Sequence, residues 1–155
     1  IMFQIKKEIV WEMGHRLMNH PGKCANLHGH SYKAIFTVEG DLDEETGMVL
    51  DFYYFGAVKE HIDKKYDHAF MFNSQDPIYK MLRKSNFYPE GLKLCSFPWE
   101  PTAENIAEQL WTEIVNVLVL TRGMMQNTHP DRKGCRLIEV TIYETATCCA
   151  TYRHE

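Results

Sequence analysis

The stretch HSYKAIFTVEGDL, from His30 to Leu42, constrains the fold of this chain more than any other segment. Its apolar side chains fall on every second position and polar residues fill most of the positions between them. The apolar set is Tyr32, Ala34, Phe36 and Val38. Because successive side chains of a strand point to opposite faces, this alternation predicts a long β-strand with one buried face.

Similar patterns predict three more strands and two helices. Phe3 to Trp11 alternates like a strand, and RLIEVTIYET and CCATYR predict two strands near the end of the sequence. Two segments carry apolar residues at helical spacing, and Asp51 and Thr102 are suited to cap their N-termini. The two apolar stripes are Phe55, Val58, Ile62 and Tyr66, and Ile106, Leu110, Ile114 and Leu118.

This element order, ββααββ, predicts an α+β architecture in which an antiparallel sheet carries two helices on one face. The segment between the helices is interrupted by Asp-Pro, Pro-Glu-Gly and Phe-Pro, so we predict a loop with one short helix from Ile78 to Lys84. A length of 155 residues is that of one domain, and we expect residues 1–155 to form it.

Charge and cysteine content narrow the function classes. The formal net charge is −4, so the chain lacks the basic surplus typical of nucleic-acid binding, and we expect no nucleic-acid partner. No apolar run is long enough to span a membrane, which leads us to expect a cytoplasmic protein with no membrane association. Five cysteines without a CxxC motif indicate reduced thiols rather than a disulfide framework.

Three histidines are candidates for a metal site. His28 and His30 sit at positions i and i+2 of the predicted strand and therefore share a face. A third imidazole from His15, supplied by the paired first strand, would complete a three-nitrogen set with one open position, which is typical of catalytic zinc. Iron, nickel or cobalt would suit the same ligands. The alternative is that the His-x-His pair is incidental.

Cys24 and the Asp67-His68 pair are candidates for proton transfer. The neighbours of Cys24, HPGKCAN, are polar, which favours an exposed, reactive thiolate over a buried cysteine. A thiolate paired with His68, itself oriented by Asp67, would form a relay suited to moving protons. The alternatives are an inert cysteine and a histidine that only complements the dipole at a helix C-terminus.

Glu144 stands out because its position places a carboxylate among apolar side chains. Counted by twos, it shares a strand face with Ile138, Val140 and Ile142. A buried carboxylate needs a partner, and the 2-amino-4-oxo edge of a pterin offers two parallel N–H donors. The alternative is that the strand ends before Glu144, leaving it in solvent.

Six motifs follow one another along the chain: HRL, KC-x3-HGH, G-x-V-x-DF, DH after the first helix, PT-x-E-x-x-A at the second, and ET before the last strand. In this order they resemble the motifs of the 6-pyruvoyl-tetrahydropterin synthase and 6-carboxy-tetrahydropterin synthase family. The resemblance covers nearly the whole chain. It implies the tunnelling fold, or T-fold, in which a barrel forms by oligomerisation, two trimers stack into a hexamer, and active sites lie between subunits.

The resemblance also implies a role for each matching residue. His15, His28 and His30 would bind zinc, Cys24 would abstract a proton, and Asp67 and His68 would complete its relay. Glu144 would hold the pterin ring and take part in the relay, and Thr102 would lie near the pterin pocket. The triphosphate of the substrate needs cations, for which we expect Arg16 and Lys23.

The three-residue gap between Cys24 and His28 resembles the bacterial carboxy-tetrahydropterin synthases of the queuosine and 7-deazaguanine pathway. It implies conversion of 7,8-dihydroneopterin triphosphate to 6-carboxy-5,6,7,8-tetrahydropterin, acetaldehyde and triphosphate. The alternatives are a pyruvoyl-type synthase, which eliminates triphosphate without carbon–carbon cleavage, a non-catalytic pterin-binding zinc protein, and a zinc hydrolase. Segments 73–100 and 122–134 resemble insertions relative to the compact bacterial pattern.

Overall fold

The computed structural model describes residues 2–85, 91–122 and 134–154, with the side chains of residues 121 and 122 excepted. The predicted segment 122–134 therefore lies almost wholly outside the described residues. Six strands and three α-helices are described. The strands are β1 (Phe3–His15), β2 (His28–Gly40), β3 (Phe70–Asn73), β4 (Leu94–Phe97), β5 (Arg136–Thr145) and β6 (Cys148–Arg153), and the helices are α1 (Phe55–Lys65), α2 (Pro77–Lys84) and α3 (Ala103–Arg122).

The strands form one sheet in the order β4-β3-β1-β2-β5-β6. The four strands predicted from the sequence pair antiparallel, as expected. The prediction of a wholly antiparallel sheet is nevertheless wrong, because β3 runs parallel to both β1 and β4. The predicted order ββααββ is also wrong in detail, because β3, α2 and β4 lie between α1 and α3. The α1 connection returns the chain across the sheet, and this crossover sets β3 parallel to β1. The α+β class is confirmed.

The buried face of the sheet follows the predicted alternation. Tyr32, Ala34, Phe36 and Val38 are fully buried. The first strand is longer than predicted and continues past Trp11 to His15, where Met13 and His15 are also buried. An uninterrupted antiparallel register runs from the pair Phe3 and Gly40 to the pair His15 and His28.

Helices α1 and α3 cover this face with the predicted apolar stripes. Phe55, Val58 and Ile62 of α1 are buried, as are Ile106, Leu110, Ile114 and Leu118 of α3. Asp51 accepts a hydrogen bond from the Tyr53 backbone and caps the 3-10 turn that leads into α1. Among the residues described, no helix is both long and apolar enough to cross a membrane.

The segment between α1 and α3 holds more structure than the predicted loop and helix. Helix α2 is confirmed and begins at Pro77, with Asp76 as its N-cap. Strands β3 and β4 were missed, since each has only four residues and parallel pairing leaves no hairpin turn to mark it in the sequence. Together these elements extend the sheet beyond β1, next to the three histidines.

Candidate metal centre and active site

His15, His28 and His30 converge at the end of the β1–β2 ladder. The register sets His15 directly opposite His28 and Met13 opposite His30, so that the three imidazoles share the buried face. One ring nitrogen from each lies within 4.8 Å of the other two. The rings are 4.5 to 5.0 Å apart between centroids. The predicted grouping of the three histidines is confirmed.

Backbone carbonyls orient two of the rings. The Nδ1 atom of His15 donates to the Pro101 carbonyl at 2.8 Å, and that of His28 donates to the Asn26 carbonyl at 2.7 Å. A carbonyl only accepts, so Nδ1 carries the proton and Nε2 keeps its lone pair. The Nε2 atom of His15 is buried and has no hydrogen-bond partner among the residues described. An orphaned buried nitrogen facing two other imidazoles fits a metal ion, and this donor set suits zinc.

The electrostatics of the cluster favour neutral imidazoles. His15 is 2 % exposed, and burial, with repulsion from His28 and His30, lowers its pKa to about 4 despite the opposing effect of its bond to Pro101. Burial followed by repulsion from His28 lowers the pKa of His30. Metal ligation requires neutral imidazole, so the site is prepared for a cation at neutral pH.

Cys24 lies in the short 3-10 turn Lys23–Ala25, between β1 and β2. Its thiol is free and partly exposed, as predicted from its polar neighbours. Its carbonyl accepts the Leu17 backbone N–H at 2.9 Å, which anchors this turn to the end of β1. Cys24 also contributes to raising the pKa of Tyr32, after burial and Glu144, so it lies on the histidine side of the site.

Asp67 and His68 form a pair just beyond α1. The His68 Nδ1 atom lies 2.9 Å from Asp67 Oδ2, and the other Asp67 oxygen accepts the Glu12 backbone N–H. The His68 side chain is 77 % exposed and lines a groove of about 580 Å³ that His30 and Ser31 also border. Within the described chain no hydrogen bond or ion pair joins His68 to Cys24, so the relay between them stays a prediction.

Glu144 points toward the histidines, as its strand parity predicts. Its carboxylate lies 3.8 Å from His15 Nε2 and is 25 % exposed. Burial, and then the nearby charge of Glu104, raise the pKa of Glu144, while His28 opposes that change. The Tyr32 hydroxyl is buried and makes no well-formed hydrogen bond within the described structure, although Glu144 is close enough to raise its pKa further after burial.

The residues expected to contact substrate differ in their surroundings. Thr102 accepts the Asn105 backbone N–H at 3.4 Å, which confirms it as the cap of α3. It directly follows Pro101, whose carbonyl orients His15. Arg16 lies 3.0 Å from the fully buried carboxylate of Asp76, so its guanidinium is already engaged. Lys23 is exposed, and the phosphate roles of Arg16 and Lys23 stay predictions.

Two contributors to the site were missed from the sequence. Tyr32 follows His28 and His30 on the same strand face, with its ring centroid 5.5 Å from that of His30, so strand parity was the signal that would have found it. The Pro101 carbonyl gave no such signal, because a backbone acceptor carries no side-chain signature.

Sequence comparisons show which known proteins the chain is similar to. A family model described as 6-pyruvoyl tetrahydropterin synthase matches residues 4–155. The chain is similar to proteins named 6-carboxy-5,6,7,8-tetrahydropterin synthase from Rickettsia typhi, at 30% identity over 95% of this chain and 97% of that one, and from Haemophilus influenzae, at 36% identity over 73% and 82%.

Solved structures show the same fold. An uncharacterized protein from Wolinella succinogenes superposes with a TM-score of 0.80, 23% identity, and coverage of 100% of this chain and 99% of that one. A 6-pyruvoyl tetrahydropterin synthase from Plasmodium vivax gives a TM-score of 0.73 at 17% identity, with coverage of 99% and 98%. At these identities the structural likeness establishes the fold alone.

Proposed function

The chain belongs to the 6-pyruvoyl tetrahydropterin synthase family, and from that premise we propose that it is a zinc-dependent 6-carboxy-5,6,7,8-tetrahydropterin synthase. The proposed lyase reaction converts 7,8-dihydroneopterin triphosphate and one water molecule to 6-carboxy-5,6,7,8-tetrahydropterin, acetaldehyde and triphosphate. The names of the similar proteins support this choice, as does the short gap between Cys24 and His28. The product would serve queuosine and 7-deazaguanine synthesis in the cytoplasm.

The convergence of His15, His28 and His30 at one end of the sheet carries the proposal. The half-buried carboxylate of Glu144 lies beside these imidazoles, and a free thiol, Cys24, is held in the turn between the two strands that carry them. A metal, a base and an anchor for the substrate ring are the three parts that this chemistry needs. His15, His28 and His30 would hold the zinc ion, which when bound would supply the Lewis acidity that makes the C–H bond beside a substrate side-chain oxygen more acidic.

The protein side chains have separate tasks in this proposal. The Cys24 sulfur takes the proton from this carbon as a thiolate, the form in which a cysteine side chain acts as a base. His68, oriented by its bond to Asp67, returns a proton to the substrate. Glu144 accepts two N–H bonds from the 2-amino-4-oxo edge of the pterin, which fixes the ring.

The lack of a described hydrogen bond or ion pair between Cys24 and His68 supports an active site shared between subunits. In the described part of one chain no hydrogen bond or ion pair joins these side chains, and the groove that the exposed His68 ring lines is not lined by Cys24. We therefore propose that a neighbouring subunit completes the relay, in a hexamer built from two trimers whose sheets join into a barrel. Such an arrangement is consistent with the family resemblance.

The proposal is tested by replacing Cys24 while measuring turnover and zinc content. Cys24→Ala should lower turnover of 7,8-dihydroneopterin triphosphate by about a hundredfold or more, with zinc retained, because the base is lost and the ligands are not. Cys148→Ser, which alters an exposed cysteine at the start of β6, is the matched control and should leave turnover unchanged.

The same experiment separates the rival functions. A zinc hydrolase would keep its turnover without Cys24, and a non-catalytic pterin-binding protein would show no turnover in the unmodified chain. Either result would contradict the proposal. A crystal of the zinc-loaded protein with a pterin soaked in should place Glu144 against the ring and Cys24 toward the substrate side chain.

A further inference from the structure

We infer that Lys93 is a positioning residue for the Asp67–His68 pair, an inference that rests on the function proposed above. Lys93 belongs to segment 73–100, between Leu92 and the start of β4. Its backbone and its side chain both bind the turn that carries His68. No pattern in the sequence singles it out.

The turn needs support because His68 adopts a left-handed backbone conformation, with φ of +58°. Only glycine adopts that region freely, and for other residues it costs about 1 kcal/mol or more, so surrounding contacts must hold it. The His68 N–H donates to the Glu12 carbonyl at 2.7 Å, and the Ala69 N–H donates to the Tyr66 carbonyl at 3.0 Å. The first bond fixes one side of the turn to β1, and the second closes the turn itself.

Lys93 fixes the other side. Its carbonyl accepts the Phe70 N–H at 2.9 Å, which aligns β4 with β3. Its ammonium donates to the Asp63 carbonyl at 2.8 Å and also to the Asp67 carbonyl. The Asp63 carbonyl is available because the Asp67 N–H, its usual helical partner, donates instead to Ile62.

Lys93 is therefore a cationic cap on the C-terminal end of α1. Carbonyls at that end of a helix lack intrahelical partners and carry partial negative charge, so an ammonium there is favourable. The Asp67 carbonyl belongs to the peptide unit directly before His68. Holding that carbonyl restricts the backbone from which the imidazole projects.

Restriction matters because the His68 ring has few other constraints. Its one recorded side-chain hydrogen bond in the described structure is to Asp67. Proton transfer is sensitive to displacements of about 1 Å, so loosening this turn slows the chemical step. Lys93 borders the same groove as His68, but its ammonium is engaged by the Asp63 and Asp67 carbonyls. It therefore acts through the turn rather than on the substrate, and its loss should lower kcat and leave KM nearly unchanged.

Three variants test this inference by steady-state turnover of 7,8-dihydroneopterin triphosphate. Lys93→Met removes the ammonium while keeping an unbranched side chain, and should lower kcat roughly tenfold with KM within about twofold. Lys93→Arg keeps donors for both carbonyls and should recover most of kcat. Lys64→Met removes an exposed lysine of the same helix end and should match the unmodified protein.

A second readout is independent of turnover. Imidazole 15N spectra of the metal-free protein, in alkaline buffer, should show His68 as a single Nδ1–H tautomer, since that atom donates to Asp67. Lys93→Met should give a mixture of tautomers, and Lys93→Arg should restore the single form. An unchanged spectrum together with unchanged kcat, or a loss confined to KM, would overturn the inference. If the unmodified protein shows no turnover, the proposed function fails, while the spectra still decide the positioning role.

Discussion

Glu113 of α3 is predicted to be the main electrostatic link between α1 and α3. Its side chain is only 12 % exposed and accepts bonds from two residues of α1, from Tyr66 directly after α1, and from one residue of α3. The donors are His61 Nε2, Lys65 Nζ and Gln109 Nε2, each at 2.6 Å, and the Tyr66 hydroxyl at 2.8 Å. Burial alone would raise the pKa of Glu113, but these donors, His61 first, lower it from 4.5 to about 2.

The expected cost of Glu113→Gln follows from this pKa. A depression of that size corresponds to about 3 kcal/mol of stability, since one pKa unit is about 1.4 kcal/mol. This is an upper value, because Lys65 is 38 % exposed and solvent screens its share. Glutamine keeps the volume but removes the charge and turns an amide donor toward other donors. We therefore expect Glu113→Gln to lower the free energy of unfolding by about 2 to 3 kcal/mol at neutral pH.

The pH dependence of this cost shows whether it comes from losing the Glu113 charge or from a change in packing. Because the folded pKa lies below the ordinary value, the stabilisation is complete above pH 4.5 and is lost as pH falls toward about 2. The assay is urea unfolding of both proteins at equal protomer concentration across this range. The two curves should converge at the acid end.

A matched control is Asp63→Asn, which breaks an exposed pair with Lys59 inside α1 and should cost less than about 0.5 kcal/mol. A cost for Glu113→Gln equal to that of the control, or a cost independent of pH, would refute the reasoning.

Three further predictions concern the site itself. Because the pKa of His15 is lowered from 6.5 to about 4, the unfolded chain binds more protons than the folded chain between these two pH values. The free energy of unfolding of the metal-free protein should therefore fall by up to about 3 kcal/mol as pH drops from 6.5 to 4. A melting temperature that stays constant over this pH range would contradict the prediction. Glu144→Gln should weaken pterin binding on the order of tenfold to a hundredfold in calorimetric titration, with zinc content unchanged, and unaltered affinity would remove Glu144 as the anchor. Gly14→Ala should destabilise the protein by about 1 to 3 kcal/mol, since the added Cβ would overlap the Phe70 ring. Gly56→Ala within α1 is the control, because a Cβ there meets no atom and should not destabilise the protein. Equal melting temperatures for the two variants would argue against this packing.

Sequence patterns predicted those elements of the fold in which apolar residues recur at a regular spacing. The alternation in β2 and the stripes of α1 and α3 are periodic because each element buries one face, so they could be read locally. Strand parity likewise placed His28, His30 and Glu144 on the face where they are found. Strands β3 and β4 could not be predicted in this way, although the apolar run of Phe70, Met71 and Phe72 was a signal for β3.

Contacts between distant segments could not be predicted from the sequence. Glu113 lies on α3, and nothing local shows that it faces His61 and Lys65 of α1. The same applies to the hydrogen bond from His15 to the Pro101 carbonyl and to the one from Lys93 to a carbonyl at the end of α1. In both, a backbone carbonyl accepts from a side chain of another element. These contacts depend on how elements pack, and they position the residues that the motifs identified.

The stoichiometry of the reaction products tests the central claim most directly. The zinc-loaded protein is incubated with 7,8-dihydroneopterin triphosphate, and acetaldehyde and triphosphate are quantified together with the pterin product. A 6-carboxy-5,6,7,8-tetrahydropterin synthase releases one acetaldehyde for each triphosphate, and we predict that ratio. Triphosphate released without acetaldehyde would contradict the account and indicate a pyruvoyl-type synthase.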